Sequence, residues 1–99
     1  MKNPISHINK IFDNRIRLGI MSILMVNENV NFTSLKEHLE ITDGNLASHL
    51  KALEDKEMIL VKKEFRGRKP NTVYIPTEKG KKAFQDHLDA LEKLIQKSK

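Results

Sequence analysis

Positively charged side chains crowd one short stretch of the sequence, VKKEFRGRKP at positions 61–70. Five cations surround a single glycine there, namely Lys62, Lys63, Arg66, Arg68 and Lys69. Residues 59–80 carry six Lys or Arg against two Asp or Glu, so much of the formal net charge of +5 lies in this segment. A concentrated patch can contact phosphates, whereas a diffuse excess mostly aids solubility. The stretch therefore predicts a polyanionic partner.

Residues that could support catalysis or bind a metal form no recognisable constellation. The chain has no cysteine, which excludes disulfides, thiolate zinc sites and thiol nucleophiles. The four histidines are not spaced like metal ligands; they lie at His7, His38, His49 and His87. The glycines form no phosphate-binding loop because they are dispersed, at Gly19, Gly44, Gly67 and Gly80. We expect no enzyme, no bound metal and no cofactor.

Length and composition are those of one small domain. With 99 residues, 38% hydrophobic and 31% charged, we expect a single domain over 1–99 with its core at about 13–80. A core of this size is modest, and a partner subunit would help to stabilise it. The N-terminus lacks the features of a signal peptide, and the apolar stretch 20–26 is too short to span a bilayer. We expect a cytoplasmic protein with no membrane partner.

Apolar periodicity predicts a mainly α chain with a small β-hairpin, an α+β fold. The predicted order is helix, helix, turn, helix, hairpin, helix. We expect a first helix at about 5–26 with a break near 13–14, then a short strand or link at 30–32. Thr33 and Thr42 are the expected N-caps of the next two helices, and Pro76 or Thr77 opens the last one, which reaches about residue 97.

The segment 33–56 has the spacing of a helix-turn-helix, two short helices joined by a short turn. In the second helix, Leu46, Leu50 and Leu53 share one face and must point into the core. The opposite face carries small or hydrogen-bonding residues, namely Gly44, Asn45, Ser48, Lys51 and Ala52. Such residues suit a helix that enters a major groove. Any amphipathic helix also has a polar outer face, so this pattern alone leaves the DNA interpretation open.

The residues from 13 to 82 together resemble the winged helix-turn-helix of MarR- and ArsR-type transcriptional regulators. NLASHLKALEDKEMI is similar to their recognition helix, and RGRKPNTVYIPTEKG to their wing and the start of their last helix. NRIRLGIMSILMVNENVNFTSLKEHL is similar to their opening helix and the lead into the motif.

The resemblance implies that one helix enters the major groove and the wing contacts the backbone or the minor groove. The recognition-helix candidates are Thr42, Gly44, Asn45, Ser48, His49 and Lys51. The wing candidates are Lys63, Arg66, Gly67, Arg68 and Lys69. Asn45 and Ser48 are the expected base readers, and Arg68 is the first choice for the minor groove.

Both ends of the chain carry apolar residues at helical spacing, and residues 1–12 and 81–99 are the expected dimerisation elements. The candidate interface consists of Ile5, Ile8, Phe12, Phe84, Leu88, Leu91 and Ile95. The alternative is that both ends pack on the core of their own domain. A homodimer would place two recognition helices about one helical turn apart, so that the expected target is a near-palindromic duplex.

These observations together predict a sequence-specific regulator that binds double-stranded DNA, in the form of a dimeric repressor. The alternative is a winged-helix module that binds proteins and no DNA. A small-molecule effector of such a regulator is possible, but no residue pattern identifies it.

Overall fold

The computed structural model of the protein describes residue 3 and residues 5–97, the side chain of residue 97 excepted. The predicted terminal segments at 1–12 and 81–99 therefore lie in part outside the described residues. The order is a 3₁₀ helix followed by α1, β1, α2, α3, β2, β3 and α4. Their bounds are Lys10–Phe12, Arg15–Met25, Val30–Asn31, Phe32–Leu39, Asp43–Asp55, Ile59–Arg66, Lys69–Pro76 and Glu78–Lys97. This is the predicted mainly helical α+β fold, which is confirmed.

Helices α1 and α2, which precede the turn of the helix-turn-helix, both have an asparagine as N-cap. Asn14 lies at the expected break, where its side chain accepts hydrogen bonds from the backbone N–H groups of Ile16 and Arg17. Helix α2 begins two residues earlier than expected, because Asn31 is its N-cap and accepts from the N–H of Ser34 at 2.8 Å. The prediction that Thr33 caps this helix is wrong, since Thr33 lies inside α2.

Helix α3 follows after a short connection and ends in a Schellman motif. Glu40 has a φ of 52° and closes α2 in the left-handed conformation. At the end of α3, the N–H of Met58 donates to the carbonyl of Leu53 at 2.9 Å, and the N–H of Glu57 donates to that of Glu54 at 2.9 Å. Glu57 is also left-handed, with a φ of 62°. This motif turns the chain directly from α3 into β2.

The strands form an antiparallel sheet in the order β1-β3-β2 within the described residues. Strands β2 and β3 pair from Ile59 opposite Pro76 to Arg66 opposite Lys69, which leaves only Gly67 and Arg68 in the turn. Gly67 has a φ of 63°, and Arg68 is not among the residues with positive φ. A positive φ at the first central residue alone is the pattern of a type II′ hairpin, whose twist matches the strands. We refer to residues 59–76 as the wing.

The wing is fixed to the rest of the protein at its root, where β2 begins and α4 follows β3. The N–H of Thr77 donates to the carbonyl of Met58 at 3.0 Å. The Thr77 hydroxyl donates to the carbonyl of Glu57 at 2.7 Å and accepts from the N–H of Gly80 at 2.8 Å. Gly80 is buried so close to Met58 that a Cβ there would lie 2.0 Å from the Met58 carbonyl oxygen.

The hydrophobic core joins helices α1 to α4 to the base of the sheet. Its fully buried side chains are Phe12, Ile20, Met21, Leu24, Leu35, Leu46, Leu53, Ile59 and Phe84. The rings of Phe12 and Phe84 pack edge to face, with centroids 5.2 Å apart. The prediction that these two residues form a dimer interface therefore needs correction, because the core of their own chain buries them. For Phe12 and Phe84, the structure shows the alternative arrangement, in which both residues pack on the core of their own domain.

The described part of the chain contains no helix that could cross a bilayer. Its longest helix, α4, is interrupted by charged residues, and none of the described helices is both long and apolar enough to cross a membrane.

Candidate nucleic-acid interface

The N-terminal turn of α3 is exposed and has free backbone amides. Thr42 is its N-cap, as predicted, and the threonine hydroxyl accepts from the N–H of Asn45 at 3.2 Å. Gly44 and Asn45 are both exposed, and a Cβ on Gly44 would meet no atom within 4 Å. The positive end of the helix dipole lies at this terminus, so a phosphate could approach it closely.

The carboxylate in this turn is neutralised by the preceding helix. Asp43 forms an ion pair of 2.7 Å with Lys36 of α2. Both groups are largely exposed, so the pair contributes little to stability. Its effect on the interface is electrostatic, because Lys36 offsets the negative charge that Asp43 would otherwise present to a phosphate.

His49 lies at the border of the polar face, half-buried, and Arg17 of α1 holds it. Arg17 Nη1 donates to His49 Nδ1 at 3.0 Å, and Arg17 Nε donates to the carbonyl of Ile11 at 2.6 Å. A guanidinium only donates, so Nδ1 of His49 is the unprotonated nitrogen. Partial burial lowers the pKa of His49, and the positive charge of Arg17 lowers this pKa further. Arg17 thus connects the 3₁₀ segment, α1 and α3.

Lys51 is exposed farther along the same face of α3. Its ammonium group forms an ion pair of 2.9 Å with Asp55, one turn later. The hydrogen bond to Asp55 raises the pKa of Lys51, and the negative charges of Asp55 and Glu54 raise it further. Lys51 is therefore charged at neutral pH, but Asp55 competes with any phosphate for it. Ser48 lies between these residues and is exposed.

The outer half of the wing presents its cations to solvent without internal neutralisation. Within the described residues, no ion pair involves the exposed cations Lys62, Lys63, Arg66, Arg68 and Lys69. The one acid in this part of the hairpin, Glu64, accepts a hydrogen bond from Asn71 across the strands at 3.2 Å. Gly67, the remaining predicted wing residue, forms the turn. The arrangement can neutralise several phosphates at once.

The residues predicted for a dimer interface divide into two groups. Phe12 and Phe84 are in the core, as described above. The other positions keep accessible surface: Ile5 is 58% exposed, Leu88 37% and Ile95 67%, whereas Ile8 and Leu91 are half-buried. The second half of α4 thus retains an apolar face that begins where the core contacts of Phe84 end.

Residues that sequence reasoning missed fall into two kinds. Arg17 of α1 and Asp55 of α3 hold the predicted recognition residues His49 and Lys51, and Lys36 of α2 pairs with Asp43 beside them. Only the Lys51 and Asp55 pair, four residues apart on one helix, had a signal in the sequence. Lys62 and Phe65 are exposed wing residues that extend the predicted surface, and both lie in the segment whose charge drew attention to the hairpin.

Comparison with known proteins identifies the architecture. The sequence profile of the family described as "Winged helix DNA-binding domain" matches residues 16–95. An uncharacterised protein of Methanocaldococcus jannaschii is 38% identical over 79 residues, which cover 80% of this chain and 86% of the relative.

Solved structures agree with this match. A transcriptional regulator homologue from Pyrococcus horikoshii superposes with a TM-score of 0.82 at 32% identity, over 87% of this chain and 85% of the other. HlyU from Vibrio cholerae gives a TM-score of 0.62 at 20% identity, covering 77% and 78% of the two chains. A PadR family regulator from Eggerthella lenta gives 0.65 at 18%, covering 85% and 79%. The last two show a shared fold alone. The predicted winged-helix fold is confirmed, and the MarR- or ArsR-type subclass stays a prediction.

Proposed function

This chain belongs to the winged helix DNA-binding domain family, and from that premise we propose that it is a sequence-specific transcriptional regulator of double-stranded DNA. In this proposal α3 enters the major groove and the wing contacts the phosphate backbone and the minor groove. The regulator binds as a homodimer in the cytoplasm and represses by occluding a promoter. The similarity to a transcriptional regulator homologue from Pyrococcus horikoshii supports the regulatory role.

The observation that carries the proposal is the chemical complementarity of the two exposed surfaces. Helix α3 offers an exposed N-terminal turn and short polar side chains, which suit close approach to base edges. The wing offers exposed cations that form no ion pair with any described residue, and such cations suit phosphates. Asn45 and Ser48 are the proposed base readers, Thr42, Gly44, His49 and Lys51 border them, and Lys63, Arg66, Arg68 and Lys69 bind phosphates around the turn at Gly67.

The proposed dimer uses the accessible apolar face of α4. Leu88, Leu91 and Ile95 follow each other at helical spacing, and the N-terminal residues Ile5 and Ile8 add to this surface. A two-fold axis through this face would bring two copies of α3 onto successive major grooves of one duplex. The dimer would also double the number of neutralised phosphates and steepen the dependence of affinity on salt.

Selection of binding sites from a random duplex pool tests the proposal most directly. We expect enrichment of inverted half-sites with centres about one helical turn, roughly 10 base pairs, apart. A single half-site without an inverted copy would contradict the dimer. Retention of a protein partner with no retention of duplex at low salt would instead support a protein-interaction module.

Variants of the wing and of α3 then distinguish what each surface contributes to binding of the selected duplex. Alanine at Arg66, Arg68 and Lys69 should weaken binding to all sequences and reduce the salt slope by up to about 2.7 per protomer, at about 0.9 for each lost phosphate contact. Alanine at Asn45 should leave the slope unchanged and relax preference at one base pair by about 1–3 kcal/mol. A matched control removes three cations from α4, at Lys79, Lys82 and Lys93. If the wing and α4 variants had the same salt slope, the wing would not be the phosphate-binding surface.

A further inference from the structure

Phe65 is an aromatic residue in the outer half of the wing, and the residue is 73% exposed. Successive side chains of a β-strand point to opposite faces, so residues 59, 61, 63 and 65 lie on the same face of β2. That face is buried at Ile59, half-buried at Val61 and exposed from Lys63 outward. Phe65 therefore lies beyond the core, on the face that is apolar at its root. A single exposed apolar residue is ordinary, so its surroundings must decide what it does.

The residue opposite Phe65 on β3 is also apolar. In the register of the hairpin, Phe65 is paired with Pro70, which is exposed as well. Directly opposed residues of an antiparallel pair place their side chains on the same face, with Cβ atoms about 5 Å apart. Phe65 and Pro70 thus form a small apolar ridge one residue pair away from the Arg66 and Lys69 pair that closes the turn.

Charge around this ridge selects the kind of partner. Cations flank the apolar pair along the hairpin: Lys63 lies on the same face of β2, and Arg66 and Lys69 form the next pair outward, on the opposite face. The nearby acid Glu64 is engaged by Asn71. Desolvating so many cations would oppose burial of the ridge in an apolar protein groove. The DNA minor groove offers a different environment, because phosphates line both of its walls while deoxyriboses and base edges lie between them. Apolar wedges such as Phe and Pro enter this groove in proteins that bend DNA.

We propose that Phe65, backed by Pro70, is an apolar wedge that enters the minor groove and partly unstacks a base step while the wing cations hold the phosphates on either side. The inference rests on the proposed function and adds a second kind of readout to it. Flexible pyrimidine–purine steps unstack most readily, so the wedge would favour such a step beside each half-site.

The test uses the full chain and the duplex obtained by selection, with 2-aminopurine placed in turn at positions flanking a half-site. The fluorescence of 2-aminopurine rises when the base unstacks. Phe65→Ala should lower affinity about tenfold, with salt slopes parallel to the parent because no charge is lost. It should also abolish the fluorescence increase that the parent produces. Phe65→Leu should retain part of both effects, because leucine can also act as a wedge.

Leu60→Ala is the matched control, since Leu60 is a 58% exposed apolar residue on the opposite face of the same strand. It should bind and unstack like the parent. The melting temperature of each variant measures its stability independently of DNA binding. Parent-like affinity and fluorescence with Phe65→Ala would overturn the wedge and leave the proposed function intact. Absence of duplex binding by the parent would remove both.

Two further outcomes would assign Phe65 to a different partner. Binding of the parent to vesicles of phosphatidylglycerol, lost in Phe65→Ala, would make the ridge a lipid contact and overturn the wedge. Self-association of the free parent that disappears in Phe65→Ala, read by sedimentation, would place Phe65 between copies of the chain and likewise overturn it.

Discussion

Helix α3 and the wing carry the two halves of the proposed interface, but the protein holds their charged side chains in opposite ways. On α3, three of the polar groups have side-chain partners, namely Asp43 with Lys36, His49 with Arg17 and Lys51 with Asp55. On the wing, no described ion pair engages the five cations between residues 62 and 69. A partner fixes the position of a group, and a partner of opposite charge also offsets the charge that the group presents to a phosphate. Helix α3 is thus suited to positional readout and the wing to charge neutralisation.

The two regions also differ in how they attach to the core. Leu46, Leu50 and Leu53 bury one face of α3 along its length. The wing is attached at one end, through the contacts of Met58, Thr77 and Gly80, and residues 62–70 are exposed apart from Glu64. A helix anchored along its length keeps its orientation, whereas a hairpin anchored at its root can adapt to the groove it contacts.

The largest expected effect comes from breaking the root of the wing. Gly80→Ala places a Cβ 2.0 Å from the carbonyl oxygen and 2.8 Å from the carbonyl carbon of Met58, and these backbone atoms cannot rotate away. We expect a loss of about 3 kcal/mol in the free energy of unfolding, at the upper end of the range for overpacking. For a domain of this size the melting temperature should fall by roughly 12–24 °C.

Gly44→Ala is the control for this prediction, because no atom lies within 4 Å of the new Cβ. Alanine is favoured over glycine in a helix, so this variant should melt at the same or a higher temperature than the parent. If Gly80→Ala were as stable as Gly44→Ala, the close approach of α4 to Met58 would not fix the wing.

A smaller effect should follow from releasing the lysine of α3. Asp55→Asn removes the carboxylate that binds Lys51 at 2.9 Å, so the ammonium becomes available to a phosphate. We expect tighter binding to all duplexes, by several-fold, and a salt slope about 0.9 steeper per protomer. This would make α3 resemble the wing in charge. Affinity measured across a salt series gives both quantities.

Asp86→Asn is the matched control for this release, because Asp86 binds Lys82 at 3.1 Å with the same spacing on α4. It changes net charge equally but frees a cation outside the proposed interface. Equal steepening of the salt slope by both variants would indicate a general charge effect, and Lys51 would then have no specific phosphate contact.

The parts of the fold that follow from local sequence were predictable. The leucine stripe of α3 and the cap at Thr42 depend on residues within a few positions, and both were predicted. The cap of α2 was not, because Asn31 and Thr33 are both good capping residues. Pairing of Asn31 with Val73 across the sheet places Asn31 at the end of β1, just outside the helix. That contact spans much of the chain, and the sequence gives no local sign of it.

The candidate site shows the same division between local and distant information. Spacing identified the outer face of α3, but the hydrogen bond between Arg17 and His49 joins residues 32 positions apart. Likewise, helical periodicity marked Phe12 and Phe84 as members of apolar faces. It could not tell whether the chain itself or a second copy covers those faces, and the structure places both side chains in the chain's own core.

The smallest expected effect is a difference in pH response between α3 and the wing. The pKa of His49 lies below its ordinary value of 6.5, because of partial burial and the charge of Arg17. Below pH 6.5 the unfolded chain therefore binds a proton at this residue more readily than the folded chain does. Stability from His49 is fully present above pH 6.5 and declines as the pH falls toward the folded pKa.

Unfolding by urea between pH 7.5 and pH 5 measures this difference when the parent is compared with His49→Gln. A glutamine oxygen can still accept from Arg17 but does not titrate, so the variant should lose less stability as the pH falls. His87 is retained in both proteins; its pKa is lowered by burial on α4, so its contribution has the same sign and cancels in the comparison. Arg68→Gln, a wing control, should follow the parent at every pH. Parallel profiles for the parent and His49→Gln would mean that folding does not lower the pKa of His49, and the contact with Arg17 would then not constrain α3.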